Sequence, residues 1–184
     1  MALTNQPVAI KAVQTIGLVS MPILHGGELA SSTYKAGAAL IDDATTGYLT
    51  EVSGPVDGST AAKRTLGFAE STATGTTGAD VRFVPAWPSV VFEGTLSNSN
   101  AGTHTLAQSD QWKTFPITKA TANWYLDTSN ASVTTITATA EGGLVVGLKD
   151  AVGTTDGRVY FVVTALARGP VANTTPVTVR DSYI

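Results

Sequence analysis

Apolar residues along this chain recur with a period of two in short stretches, and no ten-residue run shows the 3.6-residue period of an amphipathic helix. In an extended first segment, Val8, Ile10, Ala12, Ile16 and Leu18 share one face. The segment lacks helix caps and is rich in β-branched residues, so it predicts a strand or arm over residues 1–24. Fully extended, its first twenty residues reach about 60 Å. Residues 37–41, 47–52, 65–69, 79–85 and 89–96 follow as short strands, separated by clusters such as Asp42-Asp43-Ala44-Thr45-Thr46 and Ser53-Gly54-Pro55. Gly supplies positive φ, Pro fixes φ, and Asp bonds its own backbone, so such clusters turn the chain.

A Ser/Asn/Gly-rich loop at 97–103 opens a second section with strands at 133–139, 143–148 and 158–166 and one short helical turn near 109–112. The predicted architecture is therefore all-β: a small barrel over 25–96, a second, sandwich-like β section over 97–168, an extended N-terminal arm and a C-terminal tail over 169–184.

Composition narrows the class. Only 14% of the 184 residues are charged, against about 25% in an average soluble protein, so Thr, Ser, Ala, Asn and Gly must make up much of the surface. Copies of such a molecule can pack together without desolvating many ions. The net charge is −3, and the eleven Lys and Arg are scattered apart from Lys63-Arg64, which argues against a nucleic-acid partner. The apolar stretch 12–24 is too short to span a bilayer, so no membrane partner is expected. With no cysteine there is neither disulfide nor thiolate chemistry.

Candidate chemistry is sparse. His25 lies beside Gly26-Gly27 and His104 between threonines, and neither sits in a recognisable catalytic spacing. Two distant histidines without cysteine do not make a zinc site. Asp42-Asp43 reads as a turn pair, and Asp150 and Asp156 bracket a hairpin turn without the alternating ligands of a calcium loop. No catalytic residue, metal or cofactor is expected. Trp87, Trp112, Trp124 and Tyr125 can line a sugar-binding face, although core anchoring is the commoner role of aromatics in a β domain.

One set of motifs goes further. Tyr34-Lys35-Ala36-Gly37-Ala38-Ala39-Leu40, Gly47-Tyr48-Leu49, Leu66-Gly67-Phe68-Ala69 and Gly78-Ala79-Asp80-Val81-Arg82-Phe83-Val84 resemble tailed-phage capsid decoration (cement) proteins, whose compact barrel is called a β-tulip. Ser109-Asp110-Gln111-Trp112-Lys113, Asn123-Trp124-Tyr125-Leu126-Asp127 and the run from Gly147 into Gly157-Arg158-Val159-Tyr160-Phe161 are similar to an additional domain of phage virion proteins. The resemblance covers residues 34–166 and implies a structural protein on the capsid exterior. It implies the major capsid protein as partner, self-association as a homotrimer, and no catalytic residues. Within that frame Val8, Ile10, Val13 and Ile16 of the arm are the expected contact residues. A carbohydrate-binding or host-facing knob is the alternative, and a tail-tube subunit a second one.

Overall fold

Short apolar runs between turn clusters fold as strands because only the sheet ladder satisfies their backbone groups while burying one face or both. A computed structural model describes residues 3, 5–17, 20–121, 123–130, 142–165 and 167–169. Among these the strands are β1 (Lys11–Thr15), β2 (Leu24–Gly27), β3 (Ala39–Asp42), β4 (Leu49–Glu51), β5 (Gly67–Ala69) and β6 (Asp80–Pro85). The second half adds β7 (Val90–Ser97), β8 (Thr114–Phe115), β9 (Ile117–Ala120), β10 (Asn123–Asp127), β11 (Gly143–Leu148) and β12 (Arg158–Val163). The described residues contain no α-helix, and the helical turn expected near 109–112 is a single 3-10 turn at Gln108–Asp110. The all-β prediction holds. The strand expected at 133–139 and the tail at 170–184 lie outside the described residues.

The first sheet has the order β2-β6-β5-β3-β4 and is antiparallel throughout. It nearly closes into a barrel, because Glu28, just past β2, bridges Leu49 of β4, and the Leu29 N–H donates to the Leu49 carbonyl at 2.9 Å. The Glu28 carboxylate is buried at this seam. It accepts the backbone N–H groups of Thr74 and Gly75 and the Thr74 hydroxyl, which fixes the following turn. Gly67 is needed within β5, since a Cβ there would lie 2.1 Å from the Val84 carbonyl oxygen.

The second sheet has the order β8-β11-β12-β7-β10-β9, with β1 also on β7. One edge of β7 pairs with β12 along Phe92–Thr95. Its other edge is shared: β1 runs antiparallel against residues 90–93, and β10 runs parallel at Leu96 and Ser97. All eight residues of β7 are buried. Here the structure departs from the predicted division, since residues 89–96, read as the last barrel strand, form the centre of the other sheet. The two sheets share one core. Phe68 of the barrel meets Phe92 edge-on at 4.8 Å and Phe161 at 6.2 Å, and Phe92 and Phe161 lie 5.7 Å apart.

Glu93 faces out of the same strand yet is only 3% exposed. Lys149 Nζ donates to it at 2.5 Å, and Arg158 and Lys11 approach at 3.6 and 3.9 Å. A buried carboxylate must be paired or hydrogen-bonded, and here cations do so.

Glu28 generates a pH prediction. Burial raises its pKa, but the N–H groups of Thr74 and Gly75 and the Thr74 hydroxyl outweigh it and hold the carboxyl below the ordinary 4.5. The stabilisation is therefore fully present above about pH 4.5 and is lost as pH falls through the lower folded-state value. Glu28→Gln is expected to cost about 1–3 kcal/mol in urea denaturation at pH 7. The gap from the native protein should narrow steadily in titrations below pH 4.5; a gap independent of pH would refute the seam role.

Candidate interaction surface and polar cleft

The N-terminal segment runs extended, as its pattern predicts, but it is stitched to its own second sheet and is no free arm. Asn5 Nδ2 donates to Asp156 at 2.8 Å, the Pro7 carbonyl accepts from Asn123 Nδ2 at 2.6 Å, and the Val8 N–H donates to Thr95 Oγ1 at 3.0 Å. β1 then zips onto β7, and the Ile16 N–H closes the run on the Ser89 carbonyl at 2.7 Å. Gly37 makes the crossing over the barrel possible. Its φ is +84°, and a Cβ there would sit 2.7 Å from the Ile10 backbone nitrogen.

The four predicted contact residues separate. Ile10, 2% exposed, is a core residue, whereas Val8, Val13 and Ile16 are exposed, Ile16 at 61%. A register shift between Ala12 and Gln14 leaves Val13 as the extra residue of a bulge. One inserted residue exchanges the two faces of a strand, which is why Ile16 points away from the core that Ile10 enters. Among the described residues β1 has no strand partner on its second edge. Exposed apolar residues therefore lie along this segment, Val13 within β1 and Val8 and Ile16 flanking it.

A cleft of about 490 Å³, with mixed polar and apolar walls, lies where this strap, the barrel loop at Pro55 and the β9–β10 hairpin meet. Leu3 and Gln6 come from the strap, and Pro116, Thr118, Lys119 and Thr121 come from the hairpin side. Its inner wall is Tyr125 with Ser99 and Asp127. Asp127, 3% exposed, accepts the N–H groups of Ser99 and Ser129 at 3.0 and 2.9 Å and the Ser99 hydroxyl at 2.7 Å. Burial and the neighbouring Asp127 charge push the Tyr125 phenol up to about 12, against the opposing bond from Ser99. Lys119 is held at the rim by Glu51 at 2.6 Å, and the same Glu51 accepts the Trp124 indole N–H at 2.8 Å.

Beside the cleft, His104 is tied through Nε2 to the buried Asp110 at 2.8 Å, while its Nδ1 faces Thr128 Oγ1 at 3.5 Å. The hydroxyl–imidazole–carboxylate order is that of a proton relay, but its hydroxyl link is at the limit of a hydrogen bond. Asp110 also accepts the Ala107 N–H, so the pair closes the 104–110 loop. No residue spacing announces this contact, since His104 and Asp110 meet only through that turn. His25 binds the exposed Asp80 at 3.0 Å on the far sheet. Asp43 caps its own turn through Thr45 and Thr46, Asp150 forks onto Arg158, and Asp156 gathers Ser97, Asn5 and the His104 N–H. No group of three or more potential metal ligands converges among the described residues.

The predicted aromatic face is dispersed. Trp124 is buried and Trp87 packs against the core, which leaves Trp112, 67% exposed. Its φ of +67° is strained for so large a residue. The strain is held by its N–H on the Val145 carbonyl at 2.8 Å and by the Val145 N–H on the Lys113 carbonyl at 2.9 Å. No protein-family model, curated protein or solved structure matches this chain. The likeness to phage decoration proteins thus stands on the sequence motifs alone.

The strap geometry predicts unequal costs along one segment. Ile10→Ala should lose about 2–5 kcal/mol in chemical denaturation, as a fully buried isoleucine does. Ile16→Ala should stay within about 0.5 kcal/mol. Equal losses at both positions would contradict the bulge.

Proposed function

We propose that this chain is a structural virion protein that binds the outside of a phage capsid and stabilises it, with the major capsid protein as partner and a homotrimer as its working form. The observation that carries this reading is the exposure of three apolar residues, Val8, Val13 and Ile16, on an N-terminal strap anchored to the central strand of the second sheet. A contact made there is transmitted directly to the core. The bulge at Val13 interrupts regular pairing along this edge, so the contact is made by side chains more than by an added sheet. Low surface charge favours side-by-side packing, and repetition over many shell sites turns a modest contact into stable cover.

Deleting the strap is a poor test, because Leu3 and Ile10 belong to the buried interior. The double substitution Val13→Lys, Ile16→Lys leaves the core intact. Wild-type protein is expected to sediment as a trimer and to saturate shells purified without it. The variant, with unchanged melting, should lose about tenfold or more in shell affinity, since two apolar contacts become charged. Undiminished occupancy removes the strap from the interface, and tubes in negative-stain images of the purified protein would point to a tail-tube subunit instead.

A further inference from the structure

We propose that the cleft between strap and β9–β10 hairpin binds the hydroxyl-rich edge of a saccharide, with Asp127 as the principal acceptor and Thr121 as a specificity contact. This does not rest on the decoration reading, and it places sugar recognition away from the tryptophans.

Asp127 is the first reason. A carboxylate has about four acceptor positions, and its described donors, Ser99 N–H, Ser99 hydroxyl and Ser129 N–H, fill three. No cation pairs with it among the described residues, although it is almost wholly buried and lines the cleft. One oxygen, Oδ2, receives only the Ser99 hydroxyl and has a position to spare.

Charge then selects the ligand. An anion would meet the Asp127 carboxylate, and the one cation among the described lining residues, Lys119, is already paired with Glu51. A neutral ligand rich in O–H donors suits both. Gln6 and Thr118 add neutral hydrogen-bonding groups, and Pro55 adds an apolar face of the kind that covers the C–H side of a sugar ring. The volume of about 490 Å³ falls within the range of about 300–1,000 Å³ usual for small-molecule sites.

Thr121 is the independent observation. It lines the cleft with φ at +53°, a left-handed conformation that glycine or asparagine adopts easily and a β-branched residue does not. Strain kept at a cleft wall is the pattern expected where a side chain is retained for contact.

Saturation-transfer NMR on the full chain with glucose, galactose, rhamnose and N-acetylglucosamine, and with dextran as a polymer, tests the site. Saturable transfer to free sugars, or to dextran alone, supports it; the first marks single-ring recognition and the second a longer subsite. Asp127→Asn keeps an acceptor for the two N–H groups but replaces the other oxygen with a donor, and should weaken binding about tenfold or more. Thr121→Gly should weaken binding while melting stays level or rises, a combination that a purely structural threonine cannot give. Absence of saturable transfer across the panel, or unchanged affinity in the Thr121→Gly variant, overturns the proposal.

Discussion

The contact among Phe68, Phe92 and Phe161 is the constraint on which the rest of the fold depends. Neither sheet covers its own apolar face: the barrel contributes Phe68, and the second sheet contributes the other two rings. Edge-to-face aromatic pairs add about 0.5–1.5 kcal/mol each beyond the area they bury. Phe92 sits at the crossing of three strands, opposite Ala12 on one side and Phe161 on the other. Fixing that ring fixes the registers of β1 and β12 together, and with them the course of the strap.

Scarcity of charge takes on a second meaning once burial is known. Of fourteen acidic residues, at least four, Glu28, Glu93, Asp110 and Asp127, are buried and serve as local organisers of backbone or cations. The exterior is therefore poorer in carboxylates than composition implies. Each of the four is satisfied differently: by N–H groups at the barrel seam, by three cations on β7, by an imidazole in the 104–110 loop, and by serines at the cleft. The last of the four lines the cleft.

Where turn clusters bound a strand, its position was legible in the sequence, because turn chemistry is local: 79–85 became Asp80–Pro85, and 143–148 is Gly143–Leu148 itself, whereas 158–166 overran β12 by three residues and β2, β8, β9 and β10 were not predicted as strands. Pairing was not legible. Nothing near Val90 states that its partners come from residues 11–15, 126–127 and 158–161, since the alternation of Glu93, Thr95 and Ser97 with apolar residues marks a strand but names no partner, and both of its faces are buried. The bulge at Val13 misled the two-residue period and placed Ile10 and Ile16 on one face when they lie on two. The cleft was invisible for another reason. Its walls come from residues as far apart as Leu3 and Asp127, and no linear motif spans them.

The pairing of β1 with β7 also sets an order of events. Lys11 meets Glu93, a separation of 93 − 11 = 82 positions, so during synthesis β1 waits for that whole stretch of chain before it has a partner. Such non-local ladders close slowly, because loop entropy must be lost before contacts repay it. The barrel between them, with partners nearer in sequence, is able to form first and serve as a platform. Until β7 arrives, the apolar strap is a loose sticky end on a half-made molecule, open to a neighbouring chain's β7 as readily as to its own.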